Sequence, residues 1–213
     1  STASKNYKKQ EGAYFDNYLN YTLDYDKRNK RYKPDEGFRN IFNQNLPIYS
    51  ENNEIRNSFE TIRYKKFSNV VTRVSFYGAA INSISGDDVR VSKRMHIPGS
   101  KLRGFESGKV GPKEKNDYVG GNYISSLNFS ATLPKLLPSF QNTDLSFFLD
   151  AANLWGIDYD STLDDKSAIR SATGLAVDIF TPIGPLNFSY SFPISKSSSD
   201  TTESVRFNLG TTF

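Results

Sequence analysis

From residue 123 onward the chain keeps a two-residue rhythm that only an extended backbone can use. Tyr123, Ser125, Leu127, Phe129, Ala131 and Leu133 alternate with Ile124, Ser126, Asn128, Ser130 and Thr132. Leu145, Phe147, Leu149 and Ala151 alternate with Ser146, Phe148, Asp150 and Ala152, and Trp155 ends that segment. Leu175, Val177 and Ile179 oppose Gly174, Ala176 and Asp178. Leu186, Phe188, Tyr190 and Phe192 oppose Asn187, Ser189 and Ser191, and Val205, Phe207, Leu209, Thr211 and Phe213 close the chain. Successive side chains of a strand point to opposite faces, so each run makes a strand with one greasy and one wetter side. The first third follows more loosely. Leu19, Tyr21, Leu23 and Tyr25 face away from Asn20, Thr22, Asp24 and Asp26. Residues 38–46 form a weaker strand with Asn and Gln on both faces, and residues 58–67 and 70–81 form two more around a tight turn at Ser68-Asn69. The pattern predicts about nine strands and no helix.

Most of these segments run about 9 to 13 residues, long beside the 5 to 6 usual in globular sheets and suited to a tilted strand crossing a bilayer. Connections near 27–37, 67–70, 134–143 and 181–185 are shorter or carry proline, while those at 47–57, 82–121, 156–168 and 195–203 are longer and mostly more polar. Short turns on one side and long loops on the other is the asymmetry of an outer-membrane barrel. Composition leaves that architecture open and closes another. With 37% hydrophobic residues and 14% aromatic, and a mean hydropathy of -0.57, no run approaches the roughly 18 apolar residues of a membrane helix. Barrel strands never accumulate apolar residues in such a window. A chain of 213 residues also suffices for a soluble β-sandwich, provided a second sheet covers the greasy face. Cysteine is absent, which excludes a disulfide framework and a thiolate metal site. The chain opens on Ser1 without a methionine or a signal peptide, so an upstream segment is expected to have been removed.

One connection stands apart. Residues 84–121 carry neither helical nor strand periodicity, and a connection of that length in a compact domain marks function or disorder. Gly99, Gly104, Gly108 and Gly111 give it tight bends, Leu102 and Phe105 give it apolar anchors, and Arg103 between them offers a planar five-donor fork suited to a carboxylate. It reads as a loop folded back against the strands.

Other chemistries find little support. His96 is the single histidine and has no cysteine beside it, so neither a zinc site nor a Ser-His-Asp triad can be assembled around it. Asp158, Asp160, Asp164 and Asp165 lack the glycine and terminal glutamate of an EF-hand, and read as a solvated loop. Lys27, Arg28, Lys30, Arg31 and Lys33 form a basic run in a turn. The net charge is only +4, so the run is expected to be solvated or to face lipid headgroups rather than nucleic acid. No metal or cofactor is expected.

The ordered motifs are more specific. Leu102-Arg103-Gly104-Phe105 closely resembles the [VI]RGF motif in the sixth extracellular loop of BamA-like proteins, the bacterial surface antigen family of outer-membrane proteins that insert other β-barrels. Gly120-Gly121 opens the next strand, and residues 147–155 (FFLDAANLW) resemble that family's FFxDxGxxW strand. Residues 183–190 (IGPLNFSY) match its IGPLxFSYA segment, residues 207–213 (FNLGTTF) are similar to its closing strand, and residues 33–37 (KPDEG) sit where it carries a Pro-x-x-Gly turn. The resemblance spans nearly the whole chain. It implies an all-β fold, an antiparallel transmembrane β-barrel of which residues 1–213 are about the last nine of sixteen strands. The POTRA domains and first strands would then be absent, and the loop at 84–121 would fold inward. It also implies assembly and insertion of other outer-membrane proteins without covalent chemistry, hence no enzyme activity. Unfolded outer-membrane proteins would be its substrates, with lipoproteins of an assembly complex, membrane lipid and lipopolysaccharide as partners and no nucleic acid. A related polypeptide-export pore or a passive porin is the alternative.

By the same resemblance Arg103 would face Asp150 and Asn128 on the lumen wall. Residues 204–213 would form the closing strand, an exposed edge on which a client strand can add by β-augmentation, with Phe207, Leu209, Gly210 and Phe213 carrying the C-terminal signal. Asn128 stands where the family usually carries an acidic residue, so Asp150 is left as the main anionic partner. Leu102 replaces the commoner Val or Ile, and Ala152 a frequent glycine.

Overall fold

A computed structural model describes residues 8, 10–50, 53–134, 142–159, 163, 167–181 and 184–209. Four long strands come first: β1 (Asn17–Asp26), β2 (Gly37–Tyr49), β3 (Glu54–Phe67) and β4 (Val70–Ser83). A small hairpin, β5 (Lys113–Glu114) and β6 (Asp117–Tyr118), lies inside the long connection. It is followed by β7 (Tyr123–Pro134), β8 (Thr143–Trp155), β9 (Arg170–Thr181), β10 (Gly184–Ser195) and β11 (Val205–Leu209). Apart from the hairpin, all strands belong to one nine-stranded sheet in the order β1-β2-β3-β4-β7-β8-β9-β10-β11. Every pairing in it is antiparallel. Such a meander needs no crossovers, which is why its alternation is so easily read in the sequence. Among the described residues β1 and β11 pair with no further strand, and no helix is long and apolar enough to cross a membrane.

The register carries each face across the sheet. Asn128 pairs with Asp150 and Asp150 with Ala172 on one side, while Phe129 pairs with Leu149 and Leu149 with Thr173 on the other. On β8 the inner residues Phe148, Asp150, Ala152 and Leu154 are buried, whereas Phe147 and Leu149 are exposed. The outer row continues through Phe188 and Phe207, whose ring centroids lie 4.8 Å apart. A continuous apolar outer face of this kind requires lipid rather than water.

Two expectations from the sequence are corrected. Most of the loop expected at 47–57 is strand, because β2 runs on to Tyr49 and β3 starts at Glu54. The polar residues that weakened the pattern bind one another across the strands: Asn43 Nδ2 donates to Ser58 Oγ at 3.3 Å, and Thr61 Oγ1 donates to Asn40 Oδ1 at 2.7 Å. Rungs that satisfy each other support a ladder instead of ending it. The basic run is not simply solvated either. Arg28 pairs with Asp26 and Lys30 with Asp35, while Lys33 reaches Asp144 of β8 at 2.7 Å and sits 3.6 Å from the centre of the Phe180 ring of β9. A β1–β2 turn that touches β8 and β9 shows how strongly the sheet curls.

The core lies inside that curl. Its wall consists of Ala79, Ile81, Ile124, Ala152, Leu154 and Ala172, and its filling of Val89, Met95, Ile97, Leu102, Phe105 and Val110 from the long connection. Half of the core therefore comes from a segment with little regular structure. Burial of those six side chains, each worth on the order of 1.5–3 kcal/mol if complete, offsets part of the entropy of ordering the loop.

Candidate functional site

One buried carboxylate holds Arg103 at the loop tip. Arg103 Nε donates to Asp150 Oδ2 at 2.7 Å, its Nη2 to Oδ1 at 2.8 Å, and its backbone N–H to Oδ2 at 3.1 Å. Asn128, the cross-strand neighbour of Asp150, donates Nδ2 to Oδ1 at 2.9 Å and to the Lys101 carbonyl at 2.8 Å. One carboxylate thus accepts four hydrogen bonds, and it is fully buried, with the Arg103 side chain only 5% exposed. The guanidinium also lies over the Phe148 ring at 3.6 Å, so the pocket presents a flat face as well as an anion. Leu102 and Phe105 flank the pair and are buried. Gly104 adopts φ +86°, and a Cβ there would sit 3.0 Å from Ala172 Cβ and 3.2 Å from Ser191 Cβ. No other residue fits that position without strain.

Further ion pairs hold the outgoing arm of the loop. Arg90 reaches Asp16 at 2.5 Å and lies 3.7 Å from the buried Glu54. Burial by itself would raise the Asp16 carboxyl, but hydrogen bonds from Ser50, Lys93 and Arg90 outweigh it and hold the group well below the usual carboxylate range. Arg94 binds Asp158, whose Oδ2 also accepts from the Val89 N–H at 3.1 Å and from Asn122 Nδ2 at 2.9 Å. Asp158 thus anchors the loop while remaining exposed, as expected of it, and Asp160, Asp164 and Asp165 lie outside the described residues. His96 is largely buried, its Nδ1 has no hydrogen-bond partner among the described residues, and burial pushes its imidazole below the ordinary value.

The returning arm meets the end of the chain. Phe105 forms an antiparallel bridge with Thr202, the Glu106 N–H donates to the Thr201 carbonyl at 2.9 Å, and the Glu203 N–H donates to the Gly104 carbonyl at 3.1 Å. Asp200 is buried against Arg170 at 3.0 Å and accepts from the Gly111 N–H at 3.0 Å. Arg206 of β11 donates Nη1 to the Gly99 carbonyl at 2.6 Å and Nη2 to the Phe105 carbonyl. Phe207 and Leu209 point outward and are exposed, whereas Gly210 and Phe213 lie outside the described residues.

The structure thus brings together Leu102, Arg103, Gly104, Phe105, Asp150 and Asn128, and sets Phe207 and Leu209 on the opposite face of the wall. Sequence reasoning missed Phe148, Arg170, Asp200 and Arg206. Arg206 was within reach, since alternation with Val205 and Phe207 turns it inward. Asp200 had little signal, because it stands in a serine-rich stretch and, apart from the Ser197 N–H, its partners lie 30 and 89 residues away. Among the described residues no cluster of His, Cys, Asp and Glu could hold a metal ion. What the arrangement offers is a locked lumen loop tied to an edge strand.

Comparison with known proteins gives a consistent picture. The Omp85 superfamily domain matches residues 1–213. The chain is 32% identical over 144 residues to the outer membrane protein assembly factor BamA of Neisseria meningitidis serogroup B, covering 53% of this chain and 17% of that protein. It is 27% identical over 218 residues to BamA of Nitratidesulfovibrio vulgaris, covering 97% and 26%. A SAM50-like protein of Schizosaccharomyces pombe is 26% identical over 143 residues, covering 63% and 30%. The crystal structure of BamA from Haemophilus ducreyi lacking POTRA domains 1–3 superposes with a TM-score of 0.80 at 26% identity, over 89% of this chain and 41% of that one. The chain spans 17 to 30% of the length of these curated relatives.

Proposed function

The chain belongs to the Omp85 superfamily, and we propose that it is the C-terminal part of a bacterial outer-membrane barrel that folds and inserts other outer-membrane proteins. On this reading residues 1–213 are about the last nine strands, preceded in the whole protein by the remaining strands and by POTRA domains. The work is done without covalent chemistry. An unfolded client strand adds to the free edge of β11, backbone N–H and C=O groups pair as they leave water, and the client is delivered into lipid already hydrogen-bonded. Unfolded outer-membrane proteins are the substrates, lipoproteins of an assembly complex the accessory partners, and lipid with lipopolysaccharide the surroundings.

The observation that carries this reading is the loop locked in the lumen by Arg103 and Asp150. A passive porin needs an open channel, and here six apolar side chains of the loop fill the curl of the sheet. The test is insertion of a reporter barrel into liposomes containing the whole protein. Arg103→Glu should reduce the rate of insertion while solute flux through the barrel does not replace it. Unchanged insertion combined with steady solute flux in the parent protein would instead identify a pore.

A further inference from the structure

The closing strand and the lumen loop share one continuous stretch of backbone. Thr201, Thr202 and Glu203 pair with the loop, through Glu106 N–H to Thr201 carbonyl at 2.9 Å, Thr201 N–H to Lys109 carbonyl at 2.9 Å, the Phe105–Thr202 bridge, and Glu203 N–H to Gly104 carbonyl at 3.1 Å. One residue later the same segment changes partner: the Ser191 N–H donates to the Ser204 carbonyl at 2.8 Å, and Val205–Leu209 then pairs with β10. Arg206 stands just past the change of partner. It is the first inward-facing residue of β11, opposite Ser189, and its fork grips the carbonyls of Gly99 and Phe105, which bracket the tip. Glu203 braces it, accepting from Nε at 3.1 Å and from Nη2 at 2.9 Å. A Cβ on Gly99 would come within 2.8 Å of Arg206 Nη1, so the glycine leaves the room the fork needs.

We propose that Arg206 is a positioning residue that couples docking of the lumen loop to the placement of the closing strand's free edge. β11 pairs with β10 from Tyr190–Val205 to Leu186–Leu209. The loop supplies the second hold. While Arg103 rests on Asp150, the Gly99 and Phe105 carbonyls are fixed in space, and Arg206 ties the start of β11 to them. When the tip leaves, both carbonyls leave with it, and the edge is free to shift or to take a new partner. This rests on the insertase reading for its purpose but not for its geometry.

Hydrogen exchange in residues 205–209 of the whole protein in liposomes reads the coupling directly. Arg206→Met should speed amide exchange in 205–209 about tenfold, the response to losing one charge-assisted hold on a locally opening strand, and Arg206→Lys should give an intermediate rate. Exchange next to Asp150, in 147–152, should stay as in the parent. Arg103→Glu should speed 205–209 in the parent and by clearly less in Arg206→Met, because the two substitutions share one link while the backbone pairing of 201–203 with the loop is a second. Unchanged exchange in 205–209 for Arg206→Met, or full additivity of the two substitutions, would overturn the proposal. Reporter insertion measured alongside separates the two readings: coupled exchange with undiminished insertion upholds the clamp and refutes its use in insertion.

Discussion

Reversing the charge at Arg103 removes more than one interaction. Asp150 is fully buried and accepts two bonds from the guanidinium at 2.7 and 2.8 Å. Removing one partner of a buried, hydrogen-bonded pair costs about 3–5 kcal/mol, because the other charge is left without compensation. The guanidinium also lies 3.6 Å above Phe148, a contact worth about 0.5–2 kcal/mol when desolvated. Even the lower sum exceeds about 3 kcal/mol, which shifts the docked population by more than roughly a hundredfold. Trypsin reports the outcome directly, since Lys101 is held by Glu60 when the loop is docked. Arg103→Glu should open cleavage at Lys101 and Lys109. Arg103→Lys should fall between, because an ammonium cannot hold both oxygens in the bidentate geometry. Arg103→Glu with Asp150→Arg should recover only part of the protection, as an arginine at 150 cannot accept the N–H of residue 103 or the amide of Asn128. If Arg103→Glu leaves cleavage at Lys101 and reporter insertion as in the parent, the locked-loop reasoning is wrong.

Three further outcomes follow from the same geometry. Gly104→Ala should loosen the tip by about 1–3 kcal/mol, through positive φ and the 3.0 Å approach to Ala172, seen as faster trypsin cleavage at Lys101. A nitroxide at Phe188 should be relaxed by oxygen dissolved in lipid and one at Ser189 should not, because the first faces outward and the second is buried on the inner face; equal water access at both would contradict a membrane wall. The depressed imidazole of His96 means that the docked loop prefers the neutral ring, so docking is complete above the ordinary value of 6.5 and weakens as pH falls below it through the lowered one. A nitroxide at Ser100 should gain mobility between pH 7.5 and 5.5, and His96→Gln should abolish that change.

The strands were legible because a meander leaves its face pattern in consecutive residues, as the clean burial alternation of β8 illustrates. β2 was read too short because Asn and Gln on both faces look like loop until their cross-strand partners are known. The tip was legible as a motif, and the inward side of Asp150 and Asn128 followed from alternation. Lys33 and Asp158 are exposed as expected, but their ion pairs were not legible because the partners, Asp144 and Arg94, lie 111 and 64 residues away, and only the curl of the sheet and the path of the loop bring them close. Arg206 binds backbone carbonyls, which carry no side-chain signature.

During insertion a client strand should pair with the edge of β11. Cysteines at Phe207 or Leu209 of the whole protein, combined one at a time with cysteines along a client's strands, test it by disulfide trapping during insertion into liposomes. Moving from Phe207 to Leu209 should shift the trapped client position by two residues, the signature of a strand in fixed register. A client that reaches the membrane-inserted state without forming a disulfide to either position would contradict that pairing.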